Sequence, residues 1–173
     1  MFKRQIVDRL EKWAAQSRRK PLILRGARQV GKTSAVRQLG GTFDCFIELN
    51  MERAADRLPF ERQLSANDVF QAIVLRTRAR PVEKSTLLFL DEIQECPRAV
   101  QMLRYFHEEL PQLHVISAGS LLEIALAKSE IEFPVGRVQH MVMHPLSFAE
   151  YLGAMNESEA VGLMHTVPLP DHA

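Results

Sequence analysis

Cysteine is scarce in this chain: Cys45 and Cys96 are the only two in 173 residues. Two cysteines cannot build a disulfide framework, and a reduced, cytoplasmic protein is the simpler expectation. Charge of one sign is also missing. Lys and Arg number 22 and Asp and Glu 21, for a net +1, so no global field argues for nucleic acid or a membrane surface. No apolar run approaches the about 20 residues a membrane helix needs. The opening MFKRQIVDRLEKW is charged throughout and does not read as a secretory signal. The histidines, among them His107, His114, His140 and His144, are scattered without metal-ligand spacing. There is no internal repeat and no low-complexity segment.

What is present is an alternation of two kinds of segment. Phe2 to Gln16 has Ile6, Leu10 and Trp13 on one face of a helical period. Leu22-Ile23-Leu24, Phe43 to Leu49, Ser85 to Leu90, Leu113 to Ala118 and Val138 to Val142 read as strands, apolar without alternation. Between them the spacing predicts helices over Lys32 to Leu39, stopped by Gly40-Gly41, and near Asn67–Arg78, with Asn67 as cap and Val69, Phe70, Ile73 and Val74 buried. Helices also follow Pro97, cover Leu121 to Ala127 and open at Ser147. The stretch before Asn67 reads as an Arg- and Glu-rich loop. Such alternation predicts a parallel sheet with helices on both faces.

One stretch carries chemistry. Gly26-Ala27-Arg28-Gln29-Val30-Gly31-Lys32-Thr33 fits G-x-x-x-x-G-K-[ST] at every fixed position, after a strand and before a helix, with Ser34 next. Its glycines let backbone N–H groups face phosphate oxygens. Lys32 reaches the terminal phosphates, the Thr33 hydroxyl suits Mg²⁺, and the helix start favours an anion. A second strand, Leu87 to Leu90, ends in Asp91-Glu92. Asp91 suits Mg²⁺, directly or through water, and Glu92 suits a base that orients a water. Ser120, at the end of a further strand, reads as a contact to that water or to the terminal phosphate, or as the cap of the next helix. Arg137 reads as a partner for phosphate charge or as a solvated charge. Cys45 reads as packing. The run Arg76-Thr77-Arg78-Ala79-Arg80 reads as a solvated helix end or a nucleic-acid contact. The resulting fold class is α/β: a P-loop NTPase with three α/β/α layers and a central parallel sheet of about five strands.

GARQVGKT, LLFLDEIQ, SAGSLL, a Gly136-Arg137 step and HPLSFAEYL, in that order, resemble bacterial and archaeal AAA-type P-loop ATPases with an N-terminal ATPase domain and a C-terminal domain of unknown function. The resemblance spans roughly Lys3 to Leu152. It implies ATP and Mg²⁺ as ligands, phosphate contacts from Gly26 to Thr33, magnesium at Asp91, water activation at Glu92 and a sensor at Ser120. It also implies an arginine-finger or sensor role at Arg137, and an acid-bearing strand beside the loop-bearing strand. Relatives continue further, so residues 1–20 are expected to form a helix packed on the core, 21–155 the ATPase domain, and 156–173 the start of a truncated region. The leading expectation is an ATP-hydrolysing switch or motor for a C-terminal domain, a homo-oligomer neighbour or another partner. A non-catalytic nucleotide-binding module and a small-molecule kinase are the alternatives. Whether nucleic acid takes part stays open.

Overall fold

The computed structural model describes residues 4–120 and 136–155. The helix expected over Leu121 to Ala127 and the region 156–173 lie outside them.

Five strands form one parallel sheet in the order β2-β3-β4-β1-β5. They are β1 (Leu22–Arg25), β2 (Cys45–Asn50), β3 (Thr86–Asp91), β4 (His114–Gly119) and β5 (Gln139–Val142). Among the described residues the helices are α1 (Gln5–Ala14), α2 (Lys32–Gly40), α3 (Ala54–Glu61), α4 (Ala66–Thr77), α5 (Pro97–Glu109) and α6 (Phe148–Ala154), with a 3-10 turn at Ile93–Glu95. The outer strands β2 and β5 alternate in burial, unlike the expectation for them; why the inner strands β1, β3 and β4 do not is visible in the two cores. Leu22, Leu24, Leu87 and Phe89 point to the face covered by Ile6, Val7, Leu10 and Trp13 of α1 and by Ala35, Val36 and Leu39 of α2. Ile23, Leu88 and Leu90 point the other way, against Phe60 of α3, Ile73 of α4 and Leu103 of α5. A strand covered on both faces has no side left for water. Phe89, fully buried, contributes about 1.5–3 kcal/mol of transfer free energy.

The structure corrects the expected strand order. The acid-bearing β3 does not neighbour the loop-bearing β1, because β4 lies between them. Ile116 of β4 aligns with Leu22 on one side and Phe89 on the other. At about 4.8 Å per strand, β1 and β3 stand roughly 10 Å apart.

Local details differ too. The expected loop before Asn67 contains α3, which buries Asp56, Pro59 and Phe60. The cap of α4 is Ser65, whose side chain accepts from the Asp68 N–H, and not Asn67. At the end of α2, Gly41 is right-handed. The need for glycine falls on Gly40, where a Cβ would lie 2.7 Å from the Phe46 ring. Arg76 pairs with the buried Asp56, so that member of the basic run ties α4 to α3. Cys45 and Cys96 are buried free thiols. Among the described residues no helix is long and apolar enough to cross a membrane.

Candidate nucleotide site

In a parallel sheet all strands end at the same edge, so the loops that follow them gather there. The segment from Gly26 to Gly31 leaves β1, and its turn needs positive φ at Gly26 (152°), Gln29 (62°) and Gly31 (98°). A side chain at Gly26 would place its Cβ 2.4 Å from the Met143 carbonyl oxygen, so only glycine lets the loop pass β5. Ala27, Arg28 and Gln29 form an exposed crest, and Val30 is half-buried. Lys32 and Thr33 then open α2, with Ser34 exposed beside them.

Lys32 is buried, and its Nζ donates to the carbonyls of Gly26 (2.9 Å) and Ala27 (2.8 Å). Burial pushes the amine below its ordinary value, while the charges of Glu92 and Asp91 oppose that shift and Arg28 adds to it. Thr33 Oγ1 donates to Asp91 Oδ2 at 2.8 Å. This bond joins the loop of β1 to the acid of β3 across the intervening strand. Burial pushes the Asp91 carboxyl up, and the Thr33 hydroxyl and the Glu92 amide draw it back. Glu92 follows with left-handed backbone (φ 50°), a conformation uncommon for a residue with a side chain. Its N–H donates to Asp91 Oδ1 at 3.1 Å. Its Oε2 accepts from Gln94 Nε2 at 2.6 Å. Ser120, half-buried, immediately follows β4, the strand between the loop-bearing β1 and the acid-bearing β3.

Thus Gly26 to Ser34, Asp91, Glu92 and Ser120 share one edge of the sheet. Arg137 does not join them. It precedes β5, at the opposite edge, where Gln139 N–H donates to Pro21 O and Lys20 Nζ to Gly136 O. Four residues of strand, about 13 Å, separate the two edges. Arg137 there pairs with Glu108 at 3.4 Å and stays half exposed.

Residues not expected at the site brace this edge. Arg4 donates to Val30 O in the loop (3.0 Å), to His144 O (2.8 Å) and to Glu150 Oε1 (3.2 Å). Glu150 also accepts from Gln5 N–H and closes a capping box with Ser147. Burial opposes its charge, yet the Ser147 and Gln5 amides and Arg4 together hold its carboxyl below the ordinary value. The S-x-x-E spacing of that box was visible in the sequence, but Arg4 lies 146 residues away from Glu150.

A parallel sheet of this order, a glycine loop opening a helix after β1 and an acid ending β3 define an α/β P-loop ATPase fold. The chain belongs to the AAA domain family, matched over residues 18–152. No curated protein matches it. Among solved structures it is similar to the Walker-type ATPase PABY2304 of Pyrococcus abyssi, at 17% identity and a TM-score of 0.56 over 98% of this chain and 60% of that one. It is also similar to the Aeropyrum pernix ORC1 protein, solved in complex with DNA, at 20% identity and a TM-score of 0.50 over 92% of this chain and 50% of that one. At these identities the likeness is one of fold, and the chain spans 60% and 50% of the two proteins' lengths.

Proposed function

We propose that this chain binds ATP with Mg²⁺ and hydrolyses it, as a switch or motor domain for a neighbouring domain or subunit. The observation that carries the reading is the 2.8 Å bond from Thr33 to Asp91. It brings together a hydroxyl in the first turn of α2 and a carboxylate at the end of β3, reached from the non-adjacent strands β1 and β3. Two hard oxygens side by side, one on a carboxylate whose charge burial disfavours, fit a divalent cation. Among the described residues no group of three or more His, Cys, Asp or Glu forms a cage. That suits Mg²⁺, which takes one or two protein oxygens and completes its shell with water and phosphate. Mg²⁺ held by Thr33 and Asp91 would supply positive charge that offsets that of the bound phosphates.

The protein's own residues supply the remaining steps. The loop amides and the start of α2 receive the phosphates. Lys32, already turned into the loop, moves from the carbonyls of Gly26 and Ala27 to phosphate oxygens. Glu92 orients a water and takes its proton, and Ser120 contacts that water or the terminal phosphate. Arg137 is too far from its own loop to touch the same nucleotide. Its role in this reading is to reach the site of an adjoining subunit, where an arginine supplied in trans can raise turnover by about a thousandfold.

Mg-ATP at about 100 times its Kd should stabilise the folded chain by about 2.7 kcal/mol, a rise in Tm of roughly 5–10 °C. Lys32→Ala should abolish most of that rise. Equal rises in both proteins would sink the proposal.

A further inference from the structure

Gln94 lies in the 3-10 turn just after the acids, and its amide is wedged between two parts of the site. Its Nε2 donates to Glu92 Oε2 at 2.6 Å. Its Oε1 presses on the end of β4: a Cβ at Gly119 would meet it at 2.5 Å. Gly119 immediately precedes Ser120. The Oε1 is buried and has no hydrogen-bond partner among the described residues. A buried acceptor without a partner is destabilising, and an apolar side chain of the same length would fill the space without that cost. The Nε2 bond therefore has to account for the amide. Turning the amide over would set an oxygen against the Glu92 carboxylate, so the carboxylate fixes its orientation. The left-handed backbone of Glu92 is of a kind that persists only where its surroundings hold it.

We infer that Gln94 is a positioning residue for the ATPase reaction: it locks the Glu92 carboxylate in place and couples it to the end of β4 that carries Ser120. This rests on the reading of Glu92 as the base. The link between Glu92 and the end of β4 runs through this one amide.

The test uses single-turnover and steady-state hydrolysis of Mg-ATP, with thermal melts on the same samples. Gln94→Met keeps the packing, removes the donor and relieves the unpaired oxygen. It should leave Tm equal or higher, keep the ATP-dependent rise, hold KM within about threefold and lower kcat by about tenfold to a hundredfold. Gln94→Glu sets a second carboxylate against the first, and the acid limb of the pH–rate profile should move up by about one pH unit or more. In a Glu92→Gln background, Gln94→Met should cost nothing further, because both residues act through one carboxylate. If Glu92→Gln is inactive while Gln94→Met turns over like the parent and Gln94→Glu keeps the parent's profile, Gln94 is packing and the inference is wrong. A fully active Glu92→Gln, or a parent with no turnover, overturns the reading of the base and this inference with it.

Discussion

Replacing Gly26 by alanine is the sharpest structural test of the loop. Two independent costs meet there. The residue has φ 152°, a region where a side chain costs about 1–3 kcal/mol. The new Cβ would also stand 2.4 Å from the Met143 carbonyl oxygen and 3.3 Å from Val30 Cγ2. The first contact is about 1 Å inside ordinary van der Waals separation. It is with backbone, so no rotamer change relieves it. That backbone is fixed in turn: Met143 N–H donates to Arg25 O at 2.8 Å and ties the end of β5 to β1. Overpacking of this kind costs about 1–3 kcal/mol. Alanine returns about 0.4–1 kcal/mol by stiffening the unfolded chain. The net loss is about 3 kcal/mol, a fall in Tm of roughly 6–12 °C. The variant should also lose the ATP-dependent rise, since the loop must shift. Gly153→Ala is the matched control. Among the described residues nothing lies within 4 Å of its Cβ position in α6, so it should stabilise by about 0.5–1 kcal/mol. A Gly26→Ala protein that melts within about 1 °C of the parent and still responds to ATP would refute the geometry of the loop.

Three other outcomes are expected. Arg4→Ala removes three hydrogen bonds of a largely buried guanidinium, and should lower stability by about 2 kcal/mol and weaken ATP binding by freeing Val30; a melt within about 1 °C of the parent's would contradict it. His114 is buried, with its pKa pushed down to about 4 by burial and by the nearby charge of Arg19. The unfolded chain protonates it near pH 6.5, so its stabilising share is intact above that value and falls away as pH drops from about 6.5 toward 4. Denaturant melts should show a loss of about 1–2 kcal/mol between pH 7 and pH 5, absent in His114→Phe. Arg137→Ala should leave ATP affinity intact and flatten the rise of turnover per subunit with protein concentration; a rate independent of concentration in both proteins would make Arg137 a surface charge.

The strands and the phosphate loop were legible because their signals are local. Leu87 to Leu90 is apolar at every position since both faces are covered, and GARQVGKT carries its meaning within eight residues. Helix α3 was hidden because it buries only Asp56, Pro59 and Phe60, too few for an apolar period among Arg and Glu. The place of β4 between β1 and β3 depends on which sheet edges pair, and no local pattern encodes that. The brace from Arg4 to Val30 and Glu150 is equally non-local. Arg137 is the instructive case. A residue that precedes a parallel strand lies at the edge opposite the loops, so its separation from Lys32 followed from its position before Val138 once the sheet was read as parallel. Gln94 stood in view beside Asp91 and Glu92, but its role needed Gly119, which only the fold brings against it.

The claim that this edge of the sheet hydrolyses a nucleotide is tested most directly by phosphate release from Mg-ATP, comparing the parent with Glu92→Gln. Both should show the ATP-dependent rise in Tm. The parent should release phosphate, and Glu92→Gln should fall at least about a hundredfold below it. Equal release from the two proteins, or none from the parent while it binds ATP at every protein concentration, would contradict the account.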